Sequence, residues 1–384
     1  MTGVETERTC RLLIAGGGTG GHLFPGLATA RELTRRYPDG EILFVTGERR
    51  METRILEKAG YRRVSIDVQA LKGRGWKGGL ATLLGLPRSF FEARRIVGRF
   101  SPGAVLGVGG YSSGPVCVAA RTLDVPTAIH EQNSIPGLTN RLLSRIVDRV
   151  FISFEESRDR FPGGIRVFTG NPVREELLDL GPGDRRTGGP LSLLVVGGSQ
   201  GARAVNTAVA YALLILKHRG RTLRVVHQTG EYDYERVLRI YSESGLEGVV
   251  TPFIDDMARA YRSADLVVGR AGASTVTELA AMGKPSILVP FPYAADDHQT
   301  ANARALSEAG GAVLLPQRDL SATLLADLLE QYDEDRERLA RAASRAREKG
   351  RPEAARAIVD QLETLMGLES PGFKGGRDGH ETLR

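Results

Sequence analysis

Gly16-Gly-Gly-Thr-Gly-Gly-His22 follows the apolar run Leu12-Leu-Ile-Ala15 and leads into an amphipathic stretch, so a strand is expected to enter a helix through a loop of glycines. Such a turn aims backbone N–H groups and the positive end of a helix at an anion. The arrangement recurs mid-chain, where Leu193-Leu-Val-Val196 runs into Gly197-Gly-Ser-Gln-Gly-Ala202. Three more strings follow apolar runs: Gly107-Val-Gly-Gly-Tyr-Ser-Ser-Gly-Pro115, His130-Glu-Gln-Asn133 and Gly170-Asn-Pro-Val-Arg174. His22 stands where loop becomes helix and so faces a ligand rather than the core. Its imidazole titrates near neutrality, and a helix N-terminus favours the neutral form that accepts a proton. These residues suit an anionic ligand, with His22 placed to face it. The plainer alternative is a set of tight turns and locally bonded strand ends.

The elements that position these groups alternate along the chain. Strands are expected at 12–15, 42–46, 104–108, 127–130, 149–152 and 166–169, and then at 191–196, 224–227, 249–251, 266–268, 286–289 and 312–315. Helical patterns lie between them, including 22–37, 53–59, 80–100 and, near the end, 320–349 and 352–365. This alternation indicates an α/β fold, with parallel sheets covered on both faces. At 384 residues the chain is long for one core. Two Rossmann-like domains facing a cleft are expected. Residues 1–172 are expected to form an N-terminal domain and 173–350 a C-terminal domain; 351–366 are expected to form a helix packing back on the first domain, and 367–384 a disordered tail.

Composition narrows the class. Hydrophobic residues at 41% and charged residues at 26% fit a soluble fold, and the 47 glycines fit many tight βα loops. Cys10 and Cys117 have no metal-ligand or redox spacing, which suits a reducing compartment. No apolar run approaches the roughly 20 residues of a membrane span, and no signal-peptide plan is present. Charge is uneven: residues 49–99 carry 13 Lys and Arg against 4 Asp and Glu. The same stretch holds Trp76, Leu80, Leu83 and Leu84, a combination suited to an anionic membrane surface. A solvated basic helix over ordinary core leucines reads the pattern equally well. Aromatic content is low and no recognition motif occurs, so nucleic acid is not an expected partner.

Gly16-x-Gly18-x-x-Gly21 also fits the dinucleotide fingerprint, but the acidic residue that a nicotinamide enzyme wants is represented only by the late Glu48. Asp333-Glu-Asp335 lies in an expected helical charge run rather than at a strand end.

The strings Gly17-Gly-Thr-Gly-Gly-His-Leu-Phe-Pro-Gly-Leu-Ala28, Gly109-Gly-Tyr-Ser-Ser-Gly-Pro115, His130-Glu-Gln-Asn133, Gly170-Asn-Pro-Val-Arg174, Gly197-Gly-Ser-Gln-Gly-Ala202 and Asp297-His-Gln-Thr-Ala-Asn302 resemble those of the MurG family, over about residues 9–365. The resemblance implies a GT-B glycosyltransferase that moves N-acetylglucosamine from its UDP donor to the muramoyl-pentapeptide on undecaprenyl pyrophosphate, turning lipid I into lipid II. It implies peripheral attachment to the cytoplasmic face of the bacterial inner membrane. It implies donor contacts at Thr19, Gly20, Gly21, Asn133, Arg174, Ser199, Ile254, Ala273, Ser274, Thr275, Glu278 and Gln299, and acceptor contacts at Gly18, Gly109, Gly110, Tyr111 and Ser112. Ile254 would lie against uracil and offer backbone contacts. Glu278 has the chemistry to accept both ribose hydroxyls, although Thr275-x-x-Glu278 is also a capping box. Ser199 suits a phosphate or, alternatively, a helix N-cap; the Gln299 amide suits sugar hydroxyls. His22 is the expected base for the acceptor's C4 hydroxyl, with acceptor or pyrophosphate binding as its rival role. No cofactor and no essential protein-bound metal are expected. A nicotinamide oxidoreductase, another sugar-nucleotide transferase or epimerase, and a membrane-bound scaffold are the competing readings.

Overall fold

The computed structural model describes residues 10–18, 20–48, 50–67, 75–178, 189–197 and 202–368, with backbone alone at 50, 51 and 75–86. The first sheet contains β1 (Arg11–Ala15), β2 (Glu41–Thr46), β3 (Arg62–Ser65), β4 (Ala104–Gly107), β5 (Thr127–Glu131), β6 (Arg149–Ile152) and β7 (Arg166–Phe168). Its order is β3-β2-β1-β4-β5-β6-β7. The pairings of β1 with β2 and β4, of β2 with β3, of β4 with β5 and of β6 with β7 are parallel. The second sheet contains β8 (Ser192–Val196), β9 (Arg224–Gln228), β10 (Val249–Thr251), β11 (Leu266–Gly269), β12 (Ser286–Leu288) and β13 (Ala312–Leu314), in the order β10-β9-β8-β11-β12-β13 and parallel throughout.

Both orders reverse direction beside the first strand of their sheet, at β1/β4 and at β8/β11. Outside the carboxyl ends of strands at such a switch point the helices diverge to opposite faces and leave a crevice for a ligand. The glycine loops follow these four strands. The strands are short and almost wholly buried, and β8 shows the reason in its sequence. Leu193 and Val195 belong to the core formed with Val209, Leu213, Leu325 and Leu329, while Leu194 and Val196 belong to the core formed with Tyr261, Leu279 and Leu306. Apolar side chains on both faces leave no polar alternation to read.

The chain divides into two compact units, residues 1–129, 142–149 and 355–384, and residues 130–141 and 150–354. The expected boundary at 172 falls inside the second. Helix Ala354–Met366 belongs to the first unit, where Arg36 pairs with Asp360 at 2.6 Å and with Glu363 at 3.0 Å. The tail from 369, which the sequence reads as disordered, lies outside the described residues.

Two elements differ from expectation. Strand β3 was missed because it is an edge strand of sequence Arg-Arg-Val-Ser with alternating exposure, polar enough to read as loop. The single helix expected at 320–349 is two, Ala322–Glu334 and Arg336–Glu348. Asp335 breaks it with φ −105° and ψ 86° and caps the second, accepting from the Arg338 N–H at 2.7 Å. Asp333 is likewise not part of a free charge run, since it accepts from the Leu191 N–H at 3.2 Å and pairs with Arg336 at 3.1 Å.

Candidate active site

In the first unit, the loop after β1 and the loop after β4 interlock. The Gly17 N–H donates to Gly109 O at 3.2 Å, and Gly110, with φ +83°, faces the Gly17 carbonyl so closely that a Cβ there would collide with it. Glycine is required at that contact. The Ser113 hydroxyl donates to Ala15 O at 2.7 Å and ties helix Ser113–Arg121 to the end of β1. Gly18, Gly109, Gly110, half-exposed Tyr111 and buried Ser112 therefore gather at the β1/β4 switch point.

The glycine loop differs from its expected role in one respect. Gly16 N–H donates to Val45 O at 3.0 Å, Gly17 N–H to Gly109 O, and Gly18 N–H to the Glu52 carboxylate. Those amides face protein acceptors rather than an open site. Gly20, Gly21 and His22 form the first turn of helix Gly20–Arg36, whose early N–H groups have no partner within the helix. Thr19 lies outside the described residues.

In the second unit, His130-Glu-Gln-Asn133 is a bonded cluster. Glu131 Oε1 accepts from the Asn133 N–H at 2.9 Å, and its Oε2 accepts from Asn140 Nδ2 at 2.9 Å and the Gly137 N–H at 3.1 Å. The His130 ring touches Gly170 O at 3.3 Å, Ser153 Oγ at 3.1 Å and Gln132 at 3.1 Å. Glu131 is thus scaffolding that fixes Asn133, while His130 ties the same string to Gly170 and Ser153. Asn133 Oδ1 in turn accepts from Asn302 Nδ2 at 3.2 Å. Asn302, fully buried, also accepts from the Ser134 N–H at 2.9 Å and donates to Ala271 O at 3.3 Å. In the sequence Asn302 is marked only as the end of Asp297-His-Gln-Thr-Ala-Asn302, with no signal of this joining role.

Arg174 meets Glu278. Its Nε and Nη2 lie 3.0 and 2.9 Å from Glu278 Oε1, and Tyr261 OH donates to Glu278 Oε2 at 3.4 Å. Burial pushes the Glu278 carboxyl up and the Arg174 charge opposes that shift. Burial also drives the Tyr261 phenol well above its ordinary value. The capping-box alternative for Glu278 fails: Gly272 caps helix Ala273–Met282, with no side-chain cap bond. Ala273, Ser274 and Thr275 form the first turn of that helix, after β11, and the buried Ser274 hydroxyl has no partner among the described residues.

Around them, Gln299 Oε1 accepts from the Phe291 N–H at 2.9 Å. Asp296 and Asp297, three and two residues before it, both take left-handed conformations at φ 53°. Consecutive non-glycine residues in that region are strained, and such strain concentrates at functional sites. The Ile254 N–H donates to Gln228 Oε1 at 3.2 Å, so what Ile254 offers a base is its carbonyl and side chain. Ser199 lies outside the described residues, but its helix-cap alternative is answered, since Ala202 occupies the N-cap of helix Arg203–His218. Beneath Gly197, Asn206 bonds Thr229 O at 2.9 Å, Asp233 at 2.7 Å and His227 at 3.2 Å. Burial pushes the His227 imidazole down to about 4.

Trp76, Leu80, Leu83 and Leu84 fall within helix Gly75–Phe100, but their side chains lie outside the described residues. No described helix is long and apolar enough to cross a membrane. Among the described residues no group of three or more His, Cys, Asp or Glu side chains is placed to hold a metal ion.

Comparison with known proteins places this geometry. Residues 12–152 match the glycosyltransferase family 28 N-terminal domain and residues 192–358 its C-terminal domain. The chain is 46% identical over 360 residues to the UDP-N-acetylglucosamine--N-acetylmuramyl-(pentapeptide) pyrophosphoryl-undecaprenol N-acetylglucosamine transferase of Syntrophus aciditrophicus (strain SB), covering 94% of this chain and 100% of that one. It is 47% identical over 356 residues to the like-named protein of Myxococcus xanthus (strain DK1622), covering 93% of each. The crystal structure of Acinetobacter baumannii MurG superposes with a TM-score of 0.76 at 34% identity, covering 92% of this chain and 99% of that one. With both domains matched and identity held along nearly the whole length, the chain belongs to glycosyltransferase family 28 and, within it, to the MurG family.

Proposed function

We propose that this chain is an inverting glycosyltransferase that moves N-acetylglucosamine from UDP-N-acetylglucosamine to the C4 hydroxyl of the muramoyl sugar of lipid I, giving lipid II for peptidoglycan. The full-length relatives named for this transfer support it. The observation that carries it in the structure is the start of helix Ala273–Met282. An unpartnered Ser274 hydroxyl and the first-turn amides offer donors to a diphosphate, and the buried Glu278 carboxylate follows one turn later. A nicotinamide cofactor leaves that second set unexplained, and an epimerase leaves the acceptor loops unexplained.

In the reaction, the acceptor's C4 oxygen attacks the anomeric carbon, the bond to the UDP oxygen breaks, and UDP leaves with the electron pair. His22 takes the C4 proton, a role worth typically about 10²–10⁴-fold. The leaving charge is met by helix N-termini, each worth at most about 2 kcal/mol in partly buried sites, so several donors share the work. Thr19, Gly20, Gly21, Asn133, Arg174, Ser199, Ile254 and Gln299 complete the donor set, and Gly18, Gly109, Gly110, Tyr111 and Ser112 serve the acceptor. No protein-bound metal takes part in this scheme.

The enzyme works peripherally on the cytoplasmic face of the inner membrane, held by its basic, apolar stretch. Arg88, Phe91 and Arg95 are exposed at helical spacing on helix Gly75–Phe100, and Phe91 is 66% exposed, which supports docking on an anionic surface. Transfer of labelled sugar to purified lipid I tests the whole reading. Labelled lipid II is the expected product, and turnover only with other acceptors, or release of an epimerised UDP-sugar, would overturn it.

A further inference from the structure

Glu52 is fully buried in the first turn of the nine-residue helix Arg50–Lys58. Its Oε1 takes the Gly18 N–H, and its Oε2 is buried without a hydrogen-bond partner among the described residues. The carboxylate lies flat against the glycine loop, since a Cβ on Gly17 would stand 2.9 Å from Oε1 and 3.1 Å from Oε2. A negative group thus occupies the place where a glycine loop at a switch point receives a phosphate. A buried carboxylate holding one hydrogen bond is poorly compensated for its lost hydration. A phosphate brings more acceptor oxygens to the same amide.

We propose that Glu52 is an internal occupant of an anion site: it holds the Gly18 amide in the free enzyme and must withdraw when a pyrophosphate binds the loop. This rests on the glycosyltransferase reading, in which that pyrophosphate is the acceptor's. The chemistry is shared by the donor's diphosphate, and the two sources separate in the test.

The experiment compares Glu52→Gln with the native chain, using inorganic pyrophosphate in calorimetry and the KM for each substrate in turnover. Removing the like charge is expected to tighten pyrophosphate binding at least about tenfold and to lower the acceptor KM while the donor KM holds. A fall in the donor KM instead would keep the gate and refute the acceptor assignment. Unchanged or weaker pyrophosphate binding by a variant with native melting would overturn the gate itself. Should Glu52→Gln fail to fold, the Gly18 amide resonance of the native chain decides, because pyrophosphate must shift it and saturation without a shift refutes the proposal.

Discussion

If Glu278 holds the ribose as proposed, its existing bonds set a limit on what a uridine ribose receives. A carboxylate has about four lone-pair positions. Arg174 Nε donates to Oε1 while Nη2 crowds the same oxygen at 2.9 Å, and Tyr261 takes one position on Oε2 through a long bond of 3.4 Å. Room remains for one good hydrogen bond from a ribose hydroxyl, not for two. A hydrogen bond to a charged acceptor is worth about 1.5–3 kcal/mol, which is about 10- to 150-fold in kcat/KM. The native enzyme is therefore expected to discriminate by that factor against one of the two donors that lack a single ribose hydroxyl, and only weakly against the other. Glu278→Gln should lower kcat/KM for the full donor and shrink the discrimination to a few-fold. Arg174 is a quarter exposed, so the same change should cost only about 1–2 kcal/mol of stability after solvent screening. Equal use of both deoxy donors by the native enzyme would refute the ribose role and leave Glu278 as Arg174's anchor alone.

The other predictions follow from neighbouring groups. Asn302→Ala leaves the Ser134 N–H without its acceptor and frees Asn133; denaturant unfolding should show a loss of about 1–3 kcal/mol, with donor KM rising. His227 is held neutral, its folded pKa of about 4 lying below the ordinary 6.5. As pH falls through about 6.5 the unfolded chain takes a proton that the folded chain refuses, so stability is lost, by about 2 kcal/mol on reaching pH of about 5. His227→Gln should flatten that part of the stability curve, and an unchanged slope would remove His227 as its cause. His22→Ala should keep less than about a tenth of normal turnover if the imidazole is the base. Replacing Trp76, Leu80, Leu83 and Leu84 together by serine should release the chain from anionic vesicles in a flotation assay.

Much of the fold was legible because the strands are apolar on both faces and the loops after them are glycine-rich. Twelve of the thirteen strands among the described residues lie where the pattern puts them, and the exception, β3, is an edge strand whose arginines meet solvent. The break at Asp335 was hidden because Asp333-Glu-Asp335 reads as helix surface, whereas a capping aspartate in non-helical geometry ends one helix and starts the next. The site was legible as a set of strings and not as a set of bonds. Arg174 carried no mark of its partner 104 residues away. The amides of Gly16, Gly17 and Gly18 looked available to a ligand, and only the packing of Val45, Gly109 and Glu52 against them shows otherwise. Asn302 had no signal beyond its place in a motif, because its acceptors and donors come from segments far apart in sequence.

The placement of helix Ala354–Met366 bears on biogenesis. The unit that holds β1–β4 is completed by a helix that follows the second unit in sequence, whose residues pair with Arg36 and bring Met366 within reach of Gly103. During synthesis residues 10–129 must therefore wait, part of their apolar surface uncovered, while the intervening unit is made. A premature stop that spares every proposed ligand contact but removes these thirteen residues should still yield a protein that aggregates or is degraded.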